Sequence, residues 1–136
     1  MKKLLPFLSS LLLSTQMVHA QNSATFVLTD ADEVKIGQIL ADQFAQEEGM
    51  APTPQTKKLD EYLQTVGDRV AAHVQRKLPY QFHFDPNPSF KSAVGLPGGQ
   101  IFVGAGILAY IDTEDQLAAV LGHDSSTSRS ISAAPV

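Results

Sequence analysis

The sequence predicts an α+β fold made of two amphipathic helices, a small antiparallel hairpin and a third amphipathic helix. Two stretches before residue 78 carry apolar residues at helical spacing, residues 80–84 alternate with a period of two, and a Pro-Gly-Gly turn precedes a short apolar run. The 136 residues, 43% hydrophobic and 18% charged, are sufficient for one modest folded domain.

The first twenty residues have the pattern of a secretory signal. Lys2 and Lys3 precede an apolar run at 4–13, and Val18-His19-Ala20 offers small residues for cleavage after Ala20. The apolar run is shorter than the roughly 20 residues that a membrane-spanning helix needs. We therefore expect residues 1–20 to be a signal peptide, the protein to be exported to the periplasm or the medium, and no transmembrane segment to follow cleavage.

Composition argues against a nucleic-acid-binding protein and against a disulfide-stabilised one. The chain has 14 acidic and 10 basic side chains, and removal of the signal would take Lys2 and Lys3 from the basic set. This acidic balance argues against nucleic acid as a partner. The chain has no cysteine, so we expect packing or a metal to stabilise it rather than disulfides.

Two helices are predicted in the first half of the chain. The first, at about 31–48, follows Thr29 or Asp30 as the cap and has acidic residues in its first turn. The second carries an apolar stripe from Leu59 to Val74 and is expected to end before Pro79. Gly67 lies inside this stripe, where glycine is unfavourable for a helix, and this predicts close packing of another element.

A strand and a hairpin are predicted next. Tyr80, Phe82 and Phe84 share one face of the first strand, whereas His83 is predicted to face solvent on the other. A turn at 96–99 then joins a short extended piece to a strand at 100–103. The Gly-rich apolar stretch at 104–111 favours a short buried helix.

The last predicted helix opens at Thr113, which forms a capping-box pattern with Gln116. Its apolar stripe predicts that the helix is embedded in the core and carries the polar side chain of His123 there. From Asp124 onward no helical periodicity remains, and serine and threonine compete with the helix for backbone bonds. We therefore assign 21–123 to the folded domain and 124–136 to a disordered tail.

The stretch from Pro79 to His123 resembles the HtpX and CAAX-prenyl-protease-like family of zinc metallopeptidases, including its periplasmic members. The family places an Asn-Ala-Phe-Ala-x-Pro-Gly-Gly segment before a Leu-Ala-x-Val-Leu-x-His-Glu-x-x-His helix. Here these segments read Ser-Ala-Val-Gly-Leu-Pro-Gly-Gly at 92–99 and Leu-Ala-Ala-Val-Leu-Gly-His-Asp at 117–124. The likeness covers most of residues 30–123, and the fold it implies is the N-terminal half of a zincin-like domain, with 124–136 as a non-family tail.

The resemblance implies zinc-dependent endopeptidase chemistry. Two histidines at i and i+4 bind zinc from one helical face, and the glutamate between them is the general base. Here His123 is the first ligand, Asp124 occupies the general-base position and Thr127 stands where the second histidine belongs. No Glu or His follows in the printed sequence. Because one imidazole does not hold zinc, we predict that this chain does not retain the ion and does not hydrolyse peptides.

The resemblance also implies an extended polypeptide as substrate or client, bound as an added strand. Gly98 to Val103 is the edge predicted to receive it. The predicted contacts are Ser92, where the family has asparagine, together with Gly98, Gly99, Ile101 and Val103.

Three functional readings follow from these residues. The first is a proteolytic enzyme, if a one-nucleotide deletion has shifted the reading frame at Asp124, because one choice of codons restores His-Glu-x-x-His when a base is added. The second is a non-catalytic peptide-binding or chaperone-like module that captures extended peptides. The third is a remnant that does not fold stably.

Overall fold

The computed structural model describes residues 28–127, so the predicted signal and the last nine residues of the predicted tail lie outside the described part. The helices are α1 (Asp30–Glu47), α2 (Pro54–Ala71), α3 (Ala105–Leu108) and α4 (Glu114–Thr127). The strands are β1 (Gln81–Asp85), β2 (Ala93–Leu96) and β3 (Gln100–Gly104), with a 3₁₀ turn at Pro97–Gly99 between the last two. The α+β class is confirmed.

The first two helices begin where their caps predict. Thr29 accepts a hydrogen bond from the Asp32 amide at the start of α1. Thr53 and Thr56 bond reciprocally at the start of α2. The second helix ends at Ala71, earlier than the apolar stripe predicted, although Val74 beyond it still packs against the core. Apolar spacing reports which residues are buried and not where a helix stops.

The three strands form one mixed sheet in the order β1-β3-β2. The predicted hairpin is confirmed, with β2 antiparallel to β3, and β1 pairs in parallel with β3 on the other side. The central strand is therefore β3. The prediction that Gly98 to Val103 forms a free edge is wrong, because β3 is paired on both sides.

One face of the sheet packs against α2 and α4. The buried residues of this core come from both helices and from the strands: Leu63, Val66, Tyr80, Phe82, Ile101, Val103, Leu117 and Leu121. The close approach predicted at Gly67 is present, since a Cβ there would lie 2.2 Å from the Phe82 ring. The predicted shared face of the aromatic residues on β1 is confirmed, with Phe84 packed at the margin of this core.

The opposite face of the sheet is covered by α1. Phe44 of α1 packs on Phe102, with ring centroids 4.5 Å apart, and His83 stacks on the same ring at 4.6 Å. The His83 ring also bonds to the Gln100 side chain at 2.8 Å. His83 is partly exposed because Phe102 and Gln100 of β3 cover part of its ring, so the prediction that it faces solvent holds only in part.

The last helix extends further than its sequence pattern predicts. Thr113 caps it by accepting from the Gln116 amide. The helix continues through Asp124 to Thr127 rather than ending at His123. Ser125 is 2% exposed, and its hydroxyl donates to Leu121 O at 2.7 Å. The serine that interrupts the apolar periodicity is thus accommodated by a bond within the helix. Among residues 28–127, none of the helices has the length and apolar character needed to cross a bilayer.

Candidate active site

The structure brings three of the predicted site residues together beside β2. His123 and Asp124 lie one turn from the end of α4, and Ser92 lies directly before β2. All three line a groove of about 440 Å³, a volume typical of ligand sites. Four apolar side chains complete the lining: Ala93, Ile107, Ala119 and Val120. The groove therefore runs between an edge strand and the helix that carries the motif.

The two motif side chains differ in their surroundings. His123 is exposed, whereas Asp124 is half-buried. Burial raises the pKa of the Asp124 carboxyl above its ordinary value, and the neighbouring His123 partly offsets this rise. A carboxyl in this environment accepts a proton more readily than an exposed aspartate does, but it is one methylene shorter than the glutamate of the family motif.

The other four predicted contact residues do not line this groove. Gly98, Gly99, Ile101 and Val103 are all buried, and the two apolar side chains are fully enclosed in the core. Because β3 is central, its main-chain groups are used within the sheet. Ile101 and Val103 lie on the central strand, and Gly98 and Gly99 lie in the turn between β2 and β3, so none of the four is on the outer strand.

Among the strands of residues 28–127, β2 is the outer one on this side of the sheet. The Gly104 amide donates to Ser92 O at 3.0 Å, and main-chain bonding alternates along an antiparallel pair. The main-chain groups of Ala93 and Gly95 therefore point away from β3. All four residues of β2 are partly exposed. Sequence reasoning missed Ala93 and Gly95 because alternation within a strand does not show which strand is outermost.

The opposite edge of the sheet is closed by side chains from α2. The Phe82 amide donates to the Gln64 side chain at 3.0 Å, and the Phe84 amide donates to the Asp60 carboxylate at 2.6 Å. Gln64 also donates to Tyr80 O at 3.0 Å. These bonds occupy the outward amides of Phe82 and Phe84 on β1, so β2 is the better placed of the two edges to pair with another strand.

The described residues do not fit a zinc ion. Catalytic zinc needs three protein ligands and one open position. Within residues 28–127, no group of three or more His, Cys, Asp or Glu side chains lies close enough to hold a metal. His123 has only Asp124 beside it in the motif, and position 127 one turn further along α4 is threonine.

Comparison with known proteins identifies the family. The sequence profile of peptidase family M48 matches residues 57–126, which is just over half of the chain. The chain belongs to peptidase family M48. The resemblance predicted from the motif residues is thus confirmed at the level of the family. The M48 match runs from α2 to the last turn of α4, so it includes the whole sheet, His123 and Asp124.

Three curated relatives support the same assignment. The chain is similar to the β-barrel assembly-enhancing proteases of Escherichia coli (strain K12), Shigella flexneri and Escherichia coli O157:H7. In each case 29% of 103 residues are identical, covering 75% of this chain. The chain spans about a fifth of the length of these relatives (20%).

Proposed function

We propose that this M48 chain is the peptide-binding part of a zinc metalloendopeptidase. With Asp124 and Thr127 in its motif, it binds extended polypeptide without hydrolysing it. The observation that carries the proposal is that β2, the outer strand in the described part of the sheet, lies beside the groove of His123 and Asp124. An extended peptide added to this edge would pair with the outward main-chain groups of Gly95 and with the Ala93 amide. The Ala93 carbonyl already accepts from the Ser92 hydroxyl at 3.1 Å, so a peptide would share or displace that bond. Its side chains would meet Ile107, Ala119 and Val120.

The motif residues support the proposed lack of hydrolysis. The described part of the chain offers one exposed imidazole and one half-buried aspartate at the site, which are too few for a catalytic zinc ion. We therefore expect the site to orient a peptide, and within residues 28–127 it has no group of ligands for a metal that would activate water. The proposal includes export to the periplasm or medium, which rests on the N-terminal pattern of residues 1–20. Unfolded polypeptides in that compartment would be its clients.

Peptide binding is tested with a fluorescein-labelled peptide of six alternating valine and threonine residues flanked by lysines. We expect saturable binding, and we expect Gly95→Pro to weaken it about five- to tenfold. Proline removes the outward N–H, a loss of about 1 kcal/mol, while the pairing with β3 does not use that group. Fluorescence anisotropy gives the affinity, and circular dichroism checks that the variant remains folded.

The matched control is the same peptide with its alternate amides N-methylated. It keeps the side chains and loses the donors that strand pairing requires. Equal binding of the methylated and unmethylated peptides would rule out strand addition at β2.

A second candidate function is active proteolysis from a corrected reading frame. Two observations favour it: α4 remains helical through position 127, and the M48 match continues to residue 126, past His123. Position 127 is thus one turn from His123 on the same helix. The nucleotide sequence of the gene decides this candidate, which fails if no frame encodes His-Glu-x-x-His at this point.

The double substitution Asp124→Glu, Thr127→His tests the helix geometry directly. Loss of an outer-shell partner alone costs roughly 10–100-fold in metal affinity, so adding a direct ligand should strengthen zinc binding at least tenfold. Titration calorimetry with zinc compares the double variant with the wild type and with Asp124→Glu alone. Tight stoichiometric zinc binding by the wild type, coupled to peptide cleavage, would contradict the proposal of a non-catalytic chain.

A further inference from the structure

A buried carboxylate connects α1 to the turn that follows β2. Glu33 is 2% exposed, and its Oε1 accepts from the Gly98 amide at 3.1 Å. The Arg76 guanidinium donates to the same carboxylate through two bonds, at 2.9 and 2.6 Å. Asp30 accepts a further bond from Arg76 at 2.7 Å. The turn that ends β2 is therefore held by a charge pair anchored after α2.

The same region is bonded to the end of α4. The Tyr80 hydroxyl lies 3.1 Å from Arg76 O and 3.2 Å from Ser125 O, and its one hydrogen is shared between these two acceptors. Tyr80 is 6% exposed, and Ser125 comes two residues after His123 in the last turn of α4. The groove has β2 on one side and α4 on the other. The turn after β2 is connected to Arg76 through Glu33, and the end of α4 is bonded to Tyr80.

We propose that Glu33, Arg76 and Tyr80 form a relay of hydrogen bonds that fixes the spacing between β2 and the motif end of α4. They are positioning residues for the groove, and this inference rests on the proposed function because it concerns the same peptide edge. None of the three side chains lines the groove itself. They act through the Pro97–Gly99 turn at one end of the relay and through Ser125 at the other.

The physical basis is that buried, charge-assisted bonds resist displacement. Each member of the relay is buried or half-buried, where hydrogen bonds are stronger than in water. A peptide that pairs with β2 and also contacts α4 needs both walls at the correct separation, and small misplacements weaken binding sharply. The core packing between β3 and α4 holds the elements together. The relay in addition fixes where β2 and the motif end of α4 lie relative to each other.

The test compares Tyr80→Phe with Tyr62→Phe in the full protein. Both substitutions remove one phenol hydroxyl, but the Tyr62 hydroxyl bonds to the exposed Glu114 side chain, away from the groove. We expect Tyr80→Phe to weaken binding of the valine-threonine peptide about three- to tenfold, and Tyr62→Phe to leave it unchanged. A purely structural role would lower stability without changing the affinity of the folded molecules.

Glu33→Gln tests the other end of the relay. The double variant with Tyr80→Phe should lose less binding free energy than the sum of the two single variants, because both substitutions interrupt one network. In ¹⁵N NMR spectra of the peptide-free protein, Tyr80→Phe should shift the amide resonances of Gly98 and His123, whereas Tyr62→Phe should not.

The outcomes separate the two proposals. If the wild type binds the peptide and Tyr80→Phe binds it equally well, the relay is refuted while strand addition at β2 stands. If the wild type does not bind the peptide, the proposed function fails, and the NMR shifts alone decide the relay. Unshifted Gly98 and His123 resonances in Tyr80→Phe would overturn it.

Discussion

Replacing Gly37 by alanine is expected to lower the free energy of unfolding by about 2–3 kcal/mol, even though alanine is the better helix former. A Cβ at Gly37 would lie 2.0 Å from Pro97 O and 2.8 Å from the Pro97 carbonyl carbon. Both atoms belong to the main chain of the turn after β2, so no side chain can move aside. The helix α1 would have to separate from the turn.

The contact is equally close from the other side. Gly98 has φ of +75°, and a Cβ there would lie 2.7 Å from Glu33 O and from the Val34 Cα. The backbones of α1 and the turn therefore touch directly, with glycine on both surfaces. This contact also brings the Glu33 carboxylate within reach of the Gly98 amide.

Urea unfolding of Gly37→Ala gives the free energy, with Gly122→Ala as the matched control. Gly122 is also helical, but a Cβ there would meet only the Val70 side chain, at 3.3 Å. We expect Gly122→Ala to stay within about 1 kcal/mol of the wild type because the gain in helix propensity offsets the tight contact. If both variants were equally stable, α1 would not pack on the turn as described.

The parts of the fold that depend on neighbouring residues were predictable from the sequence. Caps and apolar spacing predicted α1, α2 and α4, and the Pro-Gly-Gly turn predicted the β2–β3 hairpin. Gly67 correctly indicated a close approach. These features are set by contacts within one helix or one turn, and a single stretch of sequence records them.

The strand order was not predicted because it depends on pairing between distant segments. The parallel partner of β3 is β1, which lies before β2 in the chain. One signal was available: Ile101, Phe102 and Val103 are consecutive apolar residues, which is typical of a strand covered on both faces. That pattern indicates a central strand, and it would have placed the free edge at β2.

Some residues of the candidate site could likewise be predicted from the sequence, and others could not. Its motif residues, His123 and Asp124, were predictable from their resemblance to the family, and the structure places Ser92 with them. Ala119 and Val120 lie four and three residues before His123, a spacing that places them near it on one helical face. Ile107 lies on α3, and only the folded chain brings it to the groove.

The second large effect expected is a loss of stability in acid that depends on Glu33. Bonds from Arg76 hold the pKa of the Glu33 carboxyl below its ordinary value of 4.5, with a further contribution from the Gly98 amide, although burial opposes both. The carboxylate thus stabilises the fold above about pH 4.5. This contribution is lost as the pH falls through the lower pKa of the folded state.

At pH 7, Glu33→Gln is expected to cost about 3 kcal/mol, near the lower end for a broken buried ion pair, because Arg76 is partly exposed and keeps Asp30 as a partner. Urea unfolding from pH 7 to pH 3 should show the difference between wild type and variant shrinking toward acid. The wild type loses the charge that the variant already lacks.

Glu114→Gln is the matched control for this pH dependence. Glu114 also pairs with an arginine, Arg69, and the bond from Arg69 likewise lowers its pKa. Its side chain is 46% exposed and that of Arg69 is 62% exposed, so solvent screens the pair and its loss should change stability much less. A pH-independent gap between wild type and Glu33→Gln would mean that the packing of the side chain, rather than its charge, joins α1 to the turn.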